Sequence, residues 1–170
     1  MVLGLAAKML ETAQASVVLI SLALAGVSVG NTLGRASVAG LAHRMSPFAC
    51  IHVSLTFGTC GLIFALLGSG SASMTAGLCL VAAGYGVMAS AIPSLTRKLY
   101  HPEHFQHQFA LLLTAWGAAG FLAPWTAGAL FDLTGNFDTA VLMAIGTTFA
   151  CAAALQKLKA RVARVENRPE

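Results

Sequence analysis

Long uncharged apolar runs, separated by short polar clusters, set the rhythm of this chain. No Asp, Glu, Lys or Arg occurs from Thr12 to Gly34, from Met45 to Thr96 (52 residues), from His104 to Phe131 (28 residues) or from Thr139 to Gln156 (18 residues). A transmembrane helix needs roughly 20 predominantly apolar residues, and such runs exceed what a core helix of a small soluble domain uses. The pattern predicts five spans. The first runs from Thr12 to Gly34 and continues as helix through Arg35 to about Ala42; the second, Pro47 to Leu67, closes on the turn cluster Gly68-Ser69-Gly70-Ser71-Ala72-Ser73. The third runs from Met74 to about Thr96, before Arg97-Lys98, and the fourth from Gln106 to Phe131, before the polar stretch Asp132 to Asp138. The fifth, Thr139 to Gln156, gives ~27 Å of helix, just the thickness of the hydrocarbon core. None of these runs alternates apolar with polar as the strands of a membrane barrel do.

The expected fold is therefore all-α, a polytopic membrane helix bundle of five transmembrane helices. Residues 1–11 read as the end of a preceding helix and its loop, with Met1 to Leu10 resembling last turns whose beginning lies upstream. Residues 12–156 read as the bundle and 157–170 as a basic tail.

Composition agrees: 57% of the 170 residues are hydrophobic and 9% charged, where a soluble domain carries about a quarter charged. Cys50, Cys60, Cys79 and Cys151 lack a C-x-x-C spacing and lie in apolar runs, where a thiol packs as a small hydrophobe. The net charge of +4 does not point to nucleic acid, because half of the ten basic residues fall in the last 14 positions, beside a membrane span. The first dozen residues carry no basic stretch followed by a long apolar core and a small-residue cleavage site, so no removable signal peptide is expected.

Five spans place the loops alternately on two sides. Arg35, Arg44, Arg97, Lys98, Lys157, Lys159, Arg161, Arg164 and Arg168 share one side and Lys8 stands alone on the other. Short loops rich in Lys and Arg stay in the cytoplasm, so the expected orientation has the N-terminus outside and the C-terminus inside a bacterial-type inner membrane.

Small residues recur at helical spacing: Gly26, Gly30 and Gly34 in the first span, and Ala115, Ala119, Ala123 and Ala127 beside Gly120, Pro124 and Gly128 in the fourth. Such stripes let helix backbones approach closely where lipid supplies no hydrophobic drive. Pro93 and Pro124 each remove a mid-span backbone hydrogen bond and are expected to kink their helices.

Candidate chemistry is sparse. If the first helix is continuous to Arg44, Arg35 lies nine residues, ~13.5 Å, deeper, inside the hydrocarbon. An intramembrane cation is costly and faces a bundle interior, an anion or a carbonyl; alternatively it snorkels to the surface or clamps helix ends. Asn31 lies one turn away on the same face. His101, His104 and His107 form H-x-x-H-x-x-H, read as a solvated loop with no further strong ligands to complete a metal site. His52 is read as a buried, satisfied imidazole. No nucleophile elbow, phosphate loop or intraspan acidic pair is present, so neither an enzyme nor a cofactor or metal site is expected.

Gly30-Asn31-Thr32-Leu33-Gly34-Arg35, followed by His43-Arg44, resembles the eighth helix and succeeding cytoplasmic loop of major facilitator superfamily transporters. Gly84-Tyr85-Gly86 with Pro93-Ser94-Leu95, then Leu112-Leu113-Thr114-Ala115-Trp116-Gly117-Ala118-Ala119-Gly120, Pro124, Gly128 and Phe131-Asp132-Leu133-Thr134-Gly135, are similar to the tenth and eleventh helices of the oxalate/formate antiporter-like branch. The resemblance implies a partial major facilitator fold, helices eight to twelve, with residues 1–10 as the tail of helix seven. It implies a C-terminal segment of a secondary transporter for a small anionic organic solute, working by alternating access with an N-terminal half. Arg35 would attract the solute's carboxylate, with Asn31 and Trp116 lining the site. Gly26, Gly30, Gly34, Pro93, Gly117, Gly120, Pro124 and Gly128 would serve helix packing or gating, and His43 and Arg44 would stand in the cytoplasmic loop. Oxalate-handling relatives place a lysine near the position of Trp116; without that second cation a monocarboxylate is the expected solute. The partners are then the solute, the bilayer, and a missing N-terminal half or a second copy of the chain. The alternatives are a five-span accessory protein that dimerises through its small-residue faces, or a non-functional truncated remnant.

Overall fold

The computed structural model describes residues 5–41, 44–68 and 70–166. They form six helices: α1 (Ala6–Thr12), α2 (Val17–Leu41), α3 (Pro47–Leu67), α4 (Ser71–Leu99), α5 (Pro102–Thr134) and α6 (Asp138–Glu166). All but α1 are long and apolar enough to cross a membrane. The chain is an all-α polytopic membrane bundle, with large side chains such as Leu22, Phe121, Trp125 and Phe149 on its outer surface, where a soluble domain would place charge.

Local sequence explains the helix ends. The Ser16 hydroxyl accepts from the Leu19 amide at 3.3 Å and starts α2. The Ser46 hydroxyl accepts from the Ala49 amide at 3.2 Å, and Pro47 follows in the first turn of α3, where its missing N–H costs nothing. Tyr100 and His101 are extended, and Pro102 opens α5 in the same way. Gly135 ends α5 in the left-handed region (φ 74°), its amide donating to the Phe131 carbonyl at 2.8 Å.

Three boundaries differ from the hydropathy reading. Residues 13–16 form a turn, so the first span begins at Val17 rather than Thr12. Arg97 and Lys98 ride inside α4, which runs to Leu99, because charge ends the hydrocarbon span without ending the helix. Likewise α6 continues to Glu166, so Lys157, Lys159, Arg161 and Arg164 stand on its last turns rather than on a separate tail; Arg168 lies outside the described residues. α4 runs through Pro93 and α5 through Pro124 as single helices.

α4 is the hub. Its glycines admit α3 on one side, where a Cβ built on Gly61 or Gly77 would lie 2.6 Å from the other's carbonyl oxygen. On its other side α2 packs equally close: a Cβ on Gly30 would lie 2.9 Å from the Cys79 carbonyl, and one on Gly34 would strike the Ala83 carbonyl. The Ser54 hydroxyl of α3 donates to the Gly84 carbonyl of α4 at 2.7 Å, a buried helix-to-helix bond. Two apolar clusters close the ends. Met9, Leu10, Ala23, Leu62, Leu78 and Val141 form one, and Val38, Phe48, Ile51, Val87, Leu95 and Leu155 the other. α6 completes a compact group with α3, whereas α5 lies on the outside, with Ala127 its one buried residue.

Candidate functional site

Arg35 and Asn31 occupy one face of α2, one turn apart, and Arg35 Nε donates to Asn31 Oδ1 at 3.3 Å. The backbone of this turn is pressed against α4: a Cβ built on Gly86 would strike the Asn31 carbonyl oxygen and come within 3.0 Å of the Arg35 amide nitrogen. Gly86 is thus the residue that lets this turn approach, and no larger side chain fits there. The Arg35 side chain itself is exposed at the bundle surface.

The unbroken helix from Arg35 to Arg44, on which the expected depth of ~13.5 Å rests, is not formed. α2 is described to Leu41 and Arg44 lies in a turn, so Arg44 is not a continuation of the helix from which depth can be counted. Six residues separate Arg35 from Leu41, ~9 Å of helical rise.

Trp116, expected beside Arg35, lies on α5 and packs edge-to-face against Tyr85 of α4, with ring centroids 5.6 Å apart and planes at 79°. Tyr85 directly precedes Gly86 in α4. Asn31 and Arg35 of α2, Tyr85 and Gly86 of α4, and Trp116 of α5 therefore lie at one height of the bundle. Tyr85 was not singled out as a site residue by the sequence reading, although Gly84-Tyr85-Gly86 already placed an aromatic between two close-approach glycines. Arg35 and Asn31 bring a cation and an amide to α2, and Tyr85 and Trp116 a phenol and an indole N–H to the α4–α5 contact; neither pair includes a carboxylate.

No family model, curated protein or solved structure matches this chain.

The remaining expected residues are distributed as follows. Gly26, Gly30 and Gly34 all face α4, Gly26 with a built Cβ 3.0 Å from the Cys79 sulfur. Among the described residues, nothing lies within 4 Å of a Cβ built on Gly117, Gly120 or Gly128 of α5. Pro93 is half-buried in α4, and Pro124 is half-buried in α5. Arg44 is exposed in the turn before α3, and His43 lies outside the described residues. His101, His104 and His107 are exposed at the start of α5, where Arg97 stacks over the Phe105 ring at 5.2 Å. Among the described residues, no three His, Cys, Asp or Glu side chains gather to hold a metal ion. His52 departs from its reading as a satisfied imidazole: its Nε2 is buried without a hydrogen-bond partner.

Proposed function

We propose that this chain forms one wall of a secondary transporter for a small organic anion, a monocarboxylate by preference, in a bacterial-type inner membrane. The observation that carries the reading is the surface-facing Arg35–Asn31 pair on α2, at the height of Tyr85 and Trp116. A cation pointing out of a membrane bundle toward lipid is costly, by at least ~2.5 kcal/mol at the membrane centre on insertion scales and less near the interface. The face that bears it is therefore better explained as a wall of a wet cavity, or as a contact with further helices, than as a lipid-exposed surface.

On this reading α2, α4 and α5 turn their Arg35, Tyr85 and Trp116 side toward a second set of helices, on a preceding segment or another copy of the chain. Solute held between the two would gain access to each side in turn as they rock. The resemblance of the Gly30–Arg35 and Thr114–Gly120 segments to the major facilitator superfamily supports it, and the concentration of basic residues at the ends of α4 and α6 favours an orientation with the N-terminus outside and the C-terminus in the cytoplasm.

A second reading is favoured by α5: among the described residues, nothing lies within 4 Å of a Cβ built on its Gly117, Gly120 or Gly128. That open face suits a five-span accessory protein that docks a partner helix along α5.

Uptake of radiolabelled acetate, lactate and pyruvate by cells with and without the intact gene separates the two. Saturable uptake that depends on the gene supports transport; identical uptake in both, together with co-purification of a membrane partner through α5, supports the accessory reading.

A further inference from the structure

A second polar feature lies between α3 and α6. α3 and α6 diverge to leave a cleft of about 250 Å³ lined by His52, Thr56, Thr59 and Cys60 of α3 and by Thr148 and Phe149 of α6, among others. Its walls are mainly apolar, and its volume corresponds to on the order of eight water molecules' share of liquid. His52 stands five residues beyond Pro47, ~7.5 Å from the start of α3, with Cys60 two turns deeper.

The polar groups of this cleft are biased in one direction. Thr56 donates its hydroxyl proton to the His52 carbonyl at 3.0 Å, Thr59 to the Leu55 carbonyl at 2.9 Å, and Thr148 to the Ala144 carbonyl at 2.8 Å. Each hydroxyl has spent its proton on its own helix and offers only lone pairs. His52 Nε2 is buried and unpartnered, which is expensive in a bundle surrounded by hydrocarbon. His52 lines the cleft, but its Nε2 is enclosed and would reach a bound group only by a turn of the ring about its Cβ–Cγ bond.

A complement to this wall must donate protons and carry an apolar body. A carboxylate is disfavoured, because it would face acceptor oxygens. An ammonium group is disfavoured too, because no acidic side chain lines the cleft to balance a buried cation. An uncharged hydroxyl fits: it donates to a threonine oxygen or an imidazole nitrogen and can accept from the imidazole N–H. The gradient of depth suits it as well, with the hydroxyl near His52 below the interface and the carbon chain directed past Thr59 and Cys60 toward the bilayer centre.

We propose that the α3–α6 cleft is a lateral binding site for the hydroxyl end of an uncharged single-chain amphiphile, of the fatty-alcohol or monoacylglycerol class, entering from the leaflet and held by His52, Thr56 and Thr148. It is independent of the Arg35 face.

The test is nitrogen NMR of the histidine-labelled protein in lipid nanodiscs, titrated with octan-1-ol, octane or octanoate, the His52 signal being assigned by its loss in His52→Phe. The expected result is a saturable change in the His52 ring-nitrogen shift with octan-1-ol alone, with His101 and His104 unmoved. In Thr148→Val the apparent affinity should fall roughly five- to ten-fold, as expected for loss of one hydrogen-bond acceptor, while Thr75→Val on α4 leaves it unchanged. An equal response to octane, a response to octan-1-ol that rises without saturation at every histidine, or an unaltered affinity in Thr148→Val overturns the proposal.

Discussion

Tyr85 of α4 and Trp116 of α5 meet edge to face, 5.6 Å between ring centroids, and so join α5 to α4. Such aromatic pairs contribute about 0.5–1.5 kcal/mol beyond the area they bury. A double-mutant cycle of Tyr85→Leu and Trp116→Leu, read by denaturation in detergent micelles, should return a coupling energy in that range. A coupling of zero would mean that α5 does not dock on α4 through these rings.

The glycines make an opposite pair of expectations. A Cβ on Gly34 strikes the Ala83 carbonyl and one on Gly86 strikes the Asn31 carbonyl, backbone atoms that cannot rotate away. Gly34→Ala and Gly86→Ala should each push α2 off α4 and destabilise by about 1–3 kcal/mol, as overpacking does. Gly120→Ala on α5 has open space around it and should be neutral or slightly stabilising, since Ala favours helix over Gly by roughly 0.5–1 kcal/mol. Thermal unfolding of the three variants in one detergent checks the contrast.

The alternation of the helices makes the topology testable with single cysteines in a background lacking Cys50, Cys60, Cys79 and Cys151. Ser71→Cys and Asn136→Cys lie at one end of the bundle, at the start of α4 and between α5 and α6, and His104→Cys lies at the other, in the first turn of α5. Impermeant maleimide added to whole cells should label the first two and spare the third, and inverted vesicles should give the reverse. Labelling of all three from one side contradicts the five-span arrangement.

Much of this architecture can be read from the sequence, and the remainder fails for physical reasons. The span Pro47–Leu67 is legible at both ends because Ser46-Pro47 and Gly68 are start and stop signals in their own right. α4, α5 and α6 outrun their apolar segments because hydropathy measures the hydrocarbon thickness, whereas capping decides where a helix ends, as Pro102 and Gly135 do for α5. The stripe Gly26-Gly30-Gly34 is visible as a spacing, but its partners Cys79, Ala83 and Gly86 are not, since spacing along one helix does not say which neighbour arrives. On α5, Gly120 and Gly128 stand two turns apart, yet among the described residues nothing lies within 4 Å of a Cβ built on either, so a similar signal stands beside a different environment. Arg35 and Asn31 are recognisable because charge is rare in a span, and their one-turn separation predicts the shared face. Tyr85 and the unpartnered Nε2 of His52 depend on contacts between helices far apart in sequence, which no local pattern encodes.

The proposed role of Arg35, receiving an organic anion, is tested most directly by uptake of radiolabelled monocarboxylates by cells carrying Arg35→Gln at the native locus, with the amount of protein in the membrane measured in parallel. Removing the charge lowers the cost of inserting α2, so the variant should reach the membrane at wild-type levels. Saturable uptake should be lost, and Arg35→Lys should restore it only in part, because an ammonium cannot reproduce the two-pronged contact of a guanidinium with a carboxylate. Full uptake by Arg35→Gln at normal abundance would contradict the account and leave Arg35 as a residue that steadies the end of α2 at the interface.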